Sequence, residues 1–288
     1  MRDFLRLLRV HQYSKNAFII LPLFFAGEIM DPAGLLQALK AFASFSLLAS
    51  AVYILNDCKD APFDREHPIK KDRPIPSGRI SVPKAMGIAT ALLLAGCVGM
   101  FLTHRDAFMV MLLYFTINLL YTFGLKHISI LDVTAIAVGF VLRLFVGAEA
   151  TGVHLSVWMV TMTFLLAFFL ALAKRRDDLI IFERTGKQMR RSMDGYNAGF
   201  LDISMAIMAA IVIVSYMMYT VSPEVTARIG SQRLYLTGPF VIVGVLRYLQ
   251  LTFVEERSGS PTQVLLHDRF TQINLVLWLL AFGRILYS

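Results

Sequence analysis

The chain has 288 residues, of which 57% are hydrophobic and 17% charged, with a mean hydropathy of +0.62. That balance is too apolar for a water-soluble globule of this size and places the protein in a bilayer. The net charge of +8 sits on residues that cap apolar segments, which suits an anionic leaflet or anionic ligands and excludes nucleic acid as a partner; two cysteines, Cys58 and Cys97, exclude a disulfide framework.

The opening MRDFLRLLRVHQYSKN is basic and amphipathic and lacks a small-residue cleavage site, so residues 1–15 read as a segment lying on the membrane interface. Apolar runs near the roughly 20 residues needed for a helical crossing follow. They fall at about 17–29, 36–56, 82–102, 107–123, 129–149, 154–173, 198–221, 233–254 and 267–286, nine in all with the first one short. None shows the period-two alternation of an outer-membrane barrel, so the expected fold class is an all-α membrane protein with nine transmembrane helices in a single domain, 1–288. Charged loops recur after the second and sixth runs, a hint of a duplicated four-helix unit.

After the second run the character changes. Residues 56–79, NDCKDAPFDREHPIKKDRPIPSGR, hold five carboxylates and six cations in 24 residues. In helical geometry Asp57, Asp60 and Asp64 are spaced three and four apart, and Asn56, Asp60 and Asp64 four and four, so their side chains share one face. Alone such carboxylates repel; a divalent cation among them resolves the repulsion, and an incomplete set of hard oxygens completed by water and phosphate suits Mg²⁺. The plainer alternative pairs these aspartates with Lys59, Lys70 and Arg73. Pro68, Pro74 and Pro76 break the helix, and Ser77 and Gly78 finish a turn, leaving Lys70, Lys71, Arg73 and Arg79 beside the acidic face, where they can hold phosphate oxygens.

Further along, Asp132 and Arg143 lie about three turns apart in the fifth run, where both can face a bundle interior. Either they line a polar cavity or they form structural pairs with another helix; Arg247, in the eighth run, reads as packing or snorkelling. His11, His67, His104, His127, His154 and His267 fall mostly in loops or at run ends, and none stands out as a base. With a cytoplasmic N-terminus, 21 of the 28 lysines and arginines fall on the cytoplasmic side, which places both charge-rich loops there.

Asn56-Asp57-x-x-Asp60-x-x-x-Asp64 followed by Arg73-Pro74-Ile75-Pro76-Ser77-Gly78 resembles the first motif of the UbiA-type intramembrane prenyltransferase superfamily. The resemblance implies that fold, with a central polar cavity open to the cytoplasm of a bacterial-type cell membrane. Within the superfamily the chain is most similar to decaprenyl-phosphate phosphoribosyltransferases, through Gln12-Tyr13-x-Lys15-Asn16, Asn118-Leu-Leu-Tyr121, Leu125-Lys126, LDVTAIAVGFVLRLFVGAEA at 131–150, and Lys174-Arg175-x-x-Asp178. Members that use a prenyl diphosphate resemble one another in a second acidic motif, DxxxD; here Asp177 and Asp178 are followed four residues later by Ile181 and Phe182. Lys174, Arg175 and Arg176 stand there instead, a cationic knuckle suited to the separate 5-phosphate of phosphoribosyl pyrophosphate.

The resemblance implies displacement of pyrophosphate from a ribosyl carbon by the oxygen of a polyprenyl phosphate, with release of pyrophosphate. Mg²⁺ held by Asn56, Asp57, Asp60 and Asp64 neutralises the leaving group, with Asp60, Asp64 and Lys126 in the catalytic roles. Lys15, Asn16, Lys70, Arg73, Asn118, Tyr121, Arg143, Lys174, Arg175, Asp177 and Asp178 are the expected substrate-binding residues, Asp177 or Asp178 supporting a second metal or orienting a ribose hydroxyl. A phosphate acceptor is already ionised at neutral pH, which fits the lack of a histidine base. Prenyl transfer to an aromatic or quinone precursor is the enzyme alternative, and an anion transporter the alternative of another class.

Overall fold

The computed structural model describes residues 2–66, 70–185, 194–256 and 261–287. Among these residues every regular element is helical: α1 (Arg2–Leu8), α2 (Leu21–Phe25), α3 (Pro32–Asp64), α4 (Val82–Thr103), α5 (Arg105–Phe123), α6 (Leu131–Thr151), α7 (Val157–Thr185), α8 (Ala198–Val221), α9 (Pro223–Ile229), α10 (Gly238–Phe253), α11 (Pro261–His267) and α12 (Arg269–Tyr287), with short three-ten turns between some of them. Eight helical segments are long and apolar enough to cross a membrane, and the protein is an integral membrane protein. His67 and Pro68, and the distal cations Lys187, Arg190 and Arg191 of the second charged loop, lie outside the described residues.

The expected run at 17–29 is not a membrane-length helix. Val10–Ile19 winds as a three-ten helix, Leu21–Phe25 adds little more than one α-turn, and Gly27 turns the chain at φ 83°. The reason is lateral bonding: Tyr13 and Asn16 of this arm spend their polar groups on α3. Among the described residues eight helical segments have the length and apolarity of a crossing, against the nine runs read from hydropathy.

The chain forms two compact units, residues 1–125 with 139–155 and residues 126–138 with 156–288. In the first, α3 starts sharply: Asp31 accepts from the backbone N–H groups of Ala33 and Gly34 at 3.3 and 2.7 Å, with Pro32 at the first helical position. At 33 residues it is about 50 Å long, more than a hydrocarbon core of about 30 Å requires, and its last turns carry Asn56 to Asp64. Helix α4 lies close along α3 because Gly96 and Gly99 have no side chain; a Cβ there would stand 2.7 Å from the Ser44 carbonyl oxygen and 2.6 Å from Ser44 Oγ. Such small-residue contacts are how helices hold together in lipid, where apolar transfer gives no net drive.

In the second unit α7 packs on α8 and α10 around buried Phe169, Leu172, Leu201, Met205, Val245 and Leu251. Polar stitching completes it: the Trp278 indole N–H donates to Tyr216 Oη at 2.8 Å, and Asn274 donates to the Phe240 carbonyl at 2.8 Å. Outward-facing apolar side chains such as Leu102, Ile203 and Leu280, each more than 60% exposed, form the surface that meets lipid.

Candidate active site

The helix α3 runs unbroken to Asp64 despite Pro62, so Asn56, Asp57, Asp60 and Asp64 do share its end as their spacing requires. The loop that follows folds back on them. Ser77 Oγ donates to the Arg73 carbonyl at 2.6 Å, Gly78 turns at φ 77°, the Ile80 N–H returns to the Pro74 carbonyl at 2.9 Å, and Ile75 is buried beside Leu7, Ala61 and Ala85. This fold aims Arg73 at the acidic face. Its Nη1 lies 3.0 Å from Asp57 Oδ1 and 2.8 Å from Asp64 Oδ2, and Lys70 Nζ lies 3.6 Å from Asp64 Oδ1. Burial and neighbouring Arg9 pull the Arg73 guanidinium below its usual pKa, while Asp57 and Asp64 pull it back.

Lys59, which the plainer alternative pairs with these aspartates, makes no ion pair with them among the described residues; its ammonium sits 4.3 Å from the centre of the Phe123 ring. The cation that sequence reasoning missed is Arg9, whose Nη2 donates to Asp57 Oδ1 at 2.5 Å and whose guanidinium covers the Tyr53 ring at 5.2 Å. The one signal for it was the basic arm itself, which gave no register against α3.

Asn56 supplies the test for a metal. Its Oδ1 is buried and meets no hydrogen-bond partner among the described residues. An orphaned amide oxygen costs on the order of 1–3 kcal/mol, and a hard cation satisfies it where no donor stands. With Asp60 and Asp64 one and two turns further on, the residues present fit a divalent cation bound through oxygen.

The N-terminal arm runs antiparallel to α3 on a polar ladder. Ser50 Oγ donates to the Leu8 carbonyl at 2.8 Å and lies 2.8 Å from Tyr13 Oη; Asn16 Nδ2 donates to Ser46 Oγ at 2.9 Å. Arg143 of α6 closes it, its Nε donating to Asn16 Oδ1 at 2.9 Å. Asn16, expected at the substrate, is thus buried and spent at both ends of its amide. Arg143 is spent as well: Nη1 donates to the Gly139 carbonyl, Nη2 to Tyr114 Oη, and Phe45, Tyr114 and Phe140 surround the guanidinium within 5.4 Å. It neither lines a cavity as a free cation nor pairs with a carboxylate; neutral oxygens and ring faces hold it. Lys15 is half-buried, and Asn118 donates to the Tyr114 carbonyl one turn back, with Tyr121 half-buried beyond it.

In the second unit the cationic knuckle divides. Arg175 is fully buried, with Nε 2.5 Å from Asp132 Oδ2 and Nη1 3.0 Å from Asp178 Oδ2. Tyr196 donates to Asp132 Oδ1 at 2.7 Å and accepts from the Ile130 N–H. Arg176 bonds Asp202 Oδ1 at 2.6 Å and the Thr252 carbonyl. Arg175 and Arg176, expected to read a donor phosphate, are thus paired with carboxylates inside the unit, while Arg175 Nη2 is buried with no hydrogen-bond partner among the described residues; Asp132 takes the structural alternative. Lys174, Asp177 and Asp178 are half-buried at the end of the α7 crossing, and Lys126 is buried in the three-ten turn Leu125–His127. Arg247, expected to pack or snorkel, ties Asp268 at 2.7 Å and Glu255 at 2.7 Å.

Residues 17–270 match the family described as the UbiA prenyltransferase family. The decaprenyl-phosphate phosphoribosyltransferase of Corynebacterium glutamicum is 30% identical over 98% of this chain and 86% of its own length. The enzyme of that name from Mycolicibacterium smegmatis is 30% identical over 98% of this chain and 92% of its own. A UbiA homologue from Archaeoglobus fulgidus, solved bound to GPP and Mg²⁺, superposes with a TM-score of 0.73 at 20% identity over 99% of both chains, a likeness of fold.

Proposed function

Since the chain belongs to the UbiA prenyltransferase family, we propose that it transfers a 5-phosphoribosyl group from phosphoribosyl pyrophosphate to a polyprenyl phosphate, releasing pyrophosphate. The observation that carries the reading is the orphaned Asn56 Oδ1 beside Asp60 and Asp64, with Arg73 and Lys70 folded onto the same face. Support for the donor comes from relatives whose name is that of the phosphoribosyltransferase, at 30% identity over nearly the whole chain. The N-terminus and the acidic face are assigned to the cytoplasm on the bias of lysine and arginine.

Asn56, Asp60 and Asp64 would hold Mg²⁺, which when bound neutralises a pyrophosphate leaving group. Arg73 and Lys70 meet the pyrophosphate oxygens from the loop, and their charge-assisted bonds strengthen as negative charge builds on the leaving oxygen. Lys126 and Lys174 are assigned to donor phosphates, and Asp177 and Asp178 to a second cation or a ribose hydroxyl, Asp178 while also holding Arg175. Lys15, Asn118 and Tyr121 are assigned to substrate by the same reading. The acceptor arrives ionised, so no residue has to remove a proton from it.

The deciding experiment incubates purified full-length protein and Mg²⁺ with either phosphoribosyl pyrophosphate plus polyprenyl phosphate, or a prenyl diphosphate plus an aromatic acid. Product from the first pair alone is expected. Product from the second pair alone would make the protein a prenyltransferase of the ordinary kind, and no Mg²⁺-dependent pyrophosphate release from either would return it to the transporter class.

A further inference from the structure

Asn56 and Asp57 are neighbours on the same turn of α3, and their oxygens are in opposite conditions. Asn56 Oδ1 is buried without a donor, whereas Asp57 Oδ1 accepts from two guanidiniums, Arg9 at 2.5 Å and Arg73 at 3.0 Å. Asp57 is 3% exposed, so these cations are its surroundings rather than passing partners. We infer that Asp57 is not a metal ligand but the anchor of the N-terminal arm, and that Arg9 is the positioning residue that, through Asp57, holds Arg73 on the acidic face. The inference deepens the proposed reading and rests on it for the role of Arg73.

The two arginines on Asp57 are held differently. Arg73 comes from a loop, has 31% of its side chain exposed and shares itself with Asp64. Arg9 is fixed along its whole length. Its backbone is left-handed, φ 53° and ψ 45°, a conformation that a side-chain-bearing residue keeps only where the surroundings impose it. On one side Leu7 is buried at 1% exposure among Ala51, Ile54 and Ala85; on the other the ladder through Tyr13, Asn16 and Arg143 sets the register. Farther along, Gly147 lies against the Ile19 carbonyl, where a Cβ would stand 1.9 Å from the oxygen. The arm cannot slide by one residue without breaking these contacts together.

Charge points the same way. Drawing Asp57 into a metal shell would bring two guanidiniums, Arg9 and Arg73, against the metal at one and the same oxygen, Oδ1, whereas at Asp64 Arg73 and Lys70 meet different oxygens. Keeping Asp57 on the arginines leaves Asn56, Asp60 and Asp64, spaced four and four on one helix face, as the oxygen set assigned to the metal. When a phosphate donor arrives, Arg73 can exchange Asp64 for a phosphate oxygen while Asp57 and Arg9 keep its base in place.

The test uses full-length protein in detergent and, first, Mn²⁺ alone, with binding read by electron paramagnetic resonance. Asp60→Asn is expected to weaken Mn²⁺ by about tenfold or more and Asp57→Asn by less than about threefold. Trypsin sensitivity of the arm, read in EDTA, is expected to rise in both Asp57→Asn and Arg9→Gln and to return toward the parent in Arg9→Lys. Donor KM is expected to rise in Arg9→Gln with Mn²⁺ affinity retained. Loss of Mn²⁺ in Asp57→Asn equal to that in Asp60→Asn overturns the inference, as does an arm that stays protected in Arg9→Gln. If Mn²⁺ binding is unchanged even in Asp60→Asn, the metal reading itself fails, and the protease result alone decides whether Asp57 anchors the arm. The Mn²⁺ and protease readouts need no donor, so failure of phosphoribosyl transfer is a separate result.

Discussion

Asp132 and Arg175 stand 43 residues apart in sequence and form an ion pair closed to solvent on both sides, Oδ2 to Nε at 2.5 Å. Tyr196 fills the other oxygen of Asp132 and Asp178 the Nη1 of Arg175, so the pair is the centre of a small network in the second unit. Removing one partner of such a pair strands the other charge in an apolar medium. Asp132→Asn or Arg175→Gln should therefore cost roughly 3–5 kcal/mol of stability. The measurement is thermal unfolding in detergent; variants as stable as the parent would show the pair to be dispensable.

Lys174 and Arg175, adjacent in sequence, should separate in kinetics. If Lys174 holds a donor phosphate, Lys174→Ala raises the donor KM roughly ten- to a hundredfold and leaves the acceptor KM nearly unchanged. Arg175→Ala should show its defect in yield and stability first. A normal donor KM in folded, monodisperse Lys174→Ala would remove the phosphate role from the knuckle altogether.

At the acidic face, Asp60→Asn and Asp64→Asn should each abolish turnover in protein that remains folded. Asp64→Asn is expected also to loosen the loop, because Arg73 and Lys70 both bond that carboxylate. Full activity of either variant at ordinary Mg²⁺ concentration would refute the assignment of the metal.

Gly147→Ala tests the seat of the arm. A methyl placed 1.9 Å from the Ile19 carbonyl oxygen forces backbone apart, and overpacking of this kind costs about 1–3 kcal/mol or more. Gly283→Ala, with open space around its Cβ position inside α12, is the control and should unfold at or slightly above the parent temperature. Equal melting temperatures for the two variants would mean that the arm does not sit against α6.

Asp268 gives a pH dependence with a definite sign. Hydrogen bonds from Arg247, and then from Thr271, hold its carboxyl well below the usual carboxylate range. A depressed carboxyl pKa means that its stabilising contribution is complete above about pH 4 and is lost as pH falls through the folded-state value. The difference in melting temperature between the parent and Asp268→Asn should accordingly be constant from pH 7 to pH 5 and shrink only at lower pH. A difference that already narrows between pH 7 and pH 5 would show that another group carries it.

The sequence alone determined the solvent, the class of helix and the acidic face. Length and hydropathy suffice for the crossings because a lipid-facing helix has to be apolar over its whole span, and a spacing of three and four places side chains on one face wherever an α-helix forms. The same reasoning expected one apolar run at 17–29, where the structure has a three-ten helix and a short α-turn, since hydropathy does not register that Tyr13 and Asn16 find partners on a neighbouring helix. Which cation meets which carboxylate was decided only in three dimensions. Lys59 is the nearest in sequence to Asp57 and Asp60 but turns to Phe123, while Arg9, 48 residues from Asp57, reaches it. Likewise the sequence did not say how Arg143, inside a run, or Arg175, just past one, would be held; neutral oxygens and rings surround the first, and two carboxylates hold the second. The physical reason is the low dielectric of the interior: a buried charge is compatible only with partners close enough to touch, and tertiary packing alone supplies them.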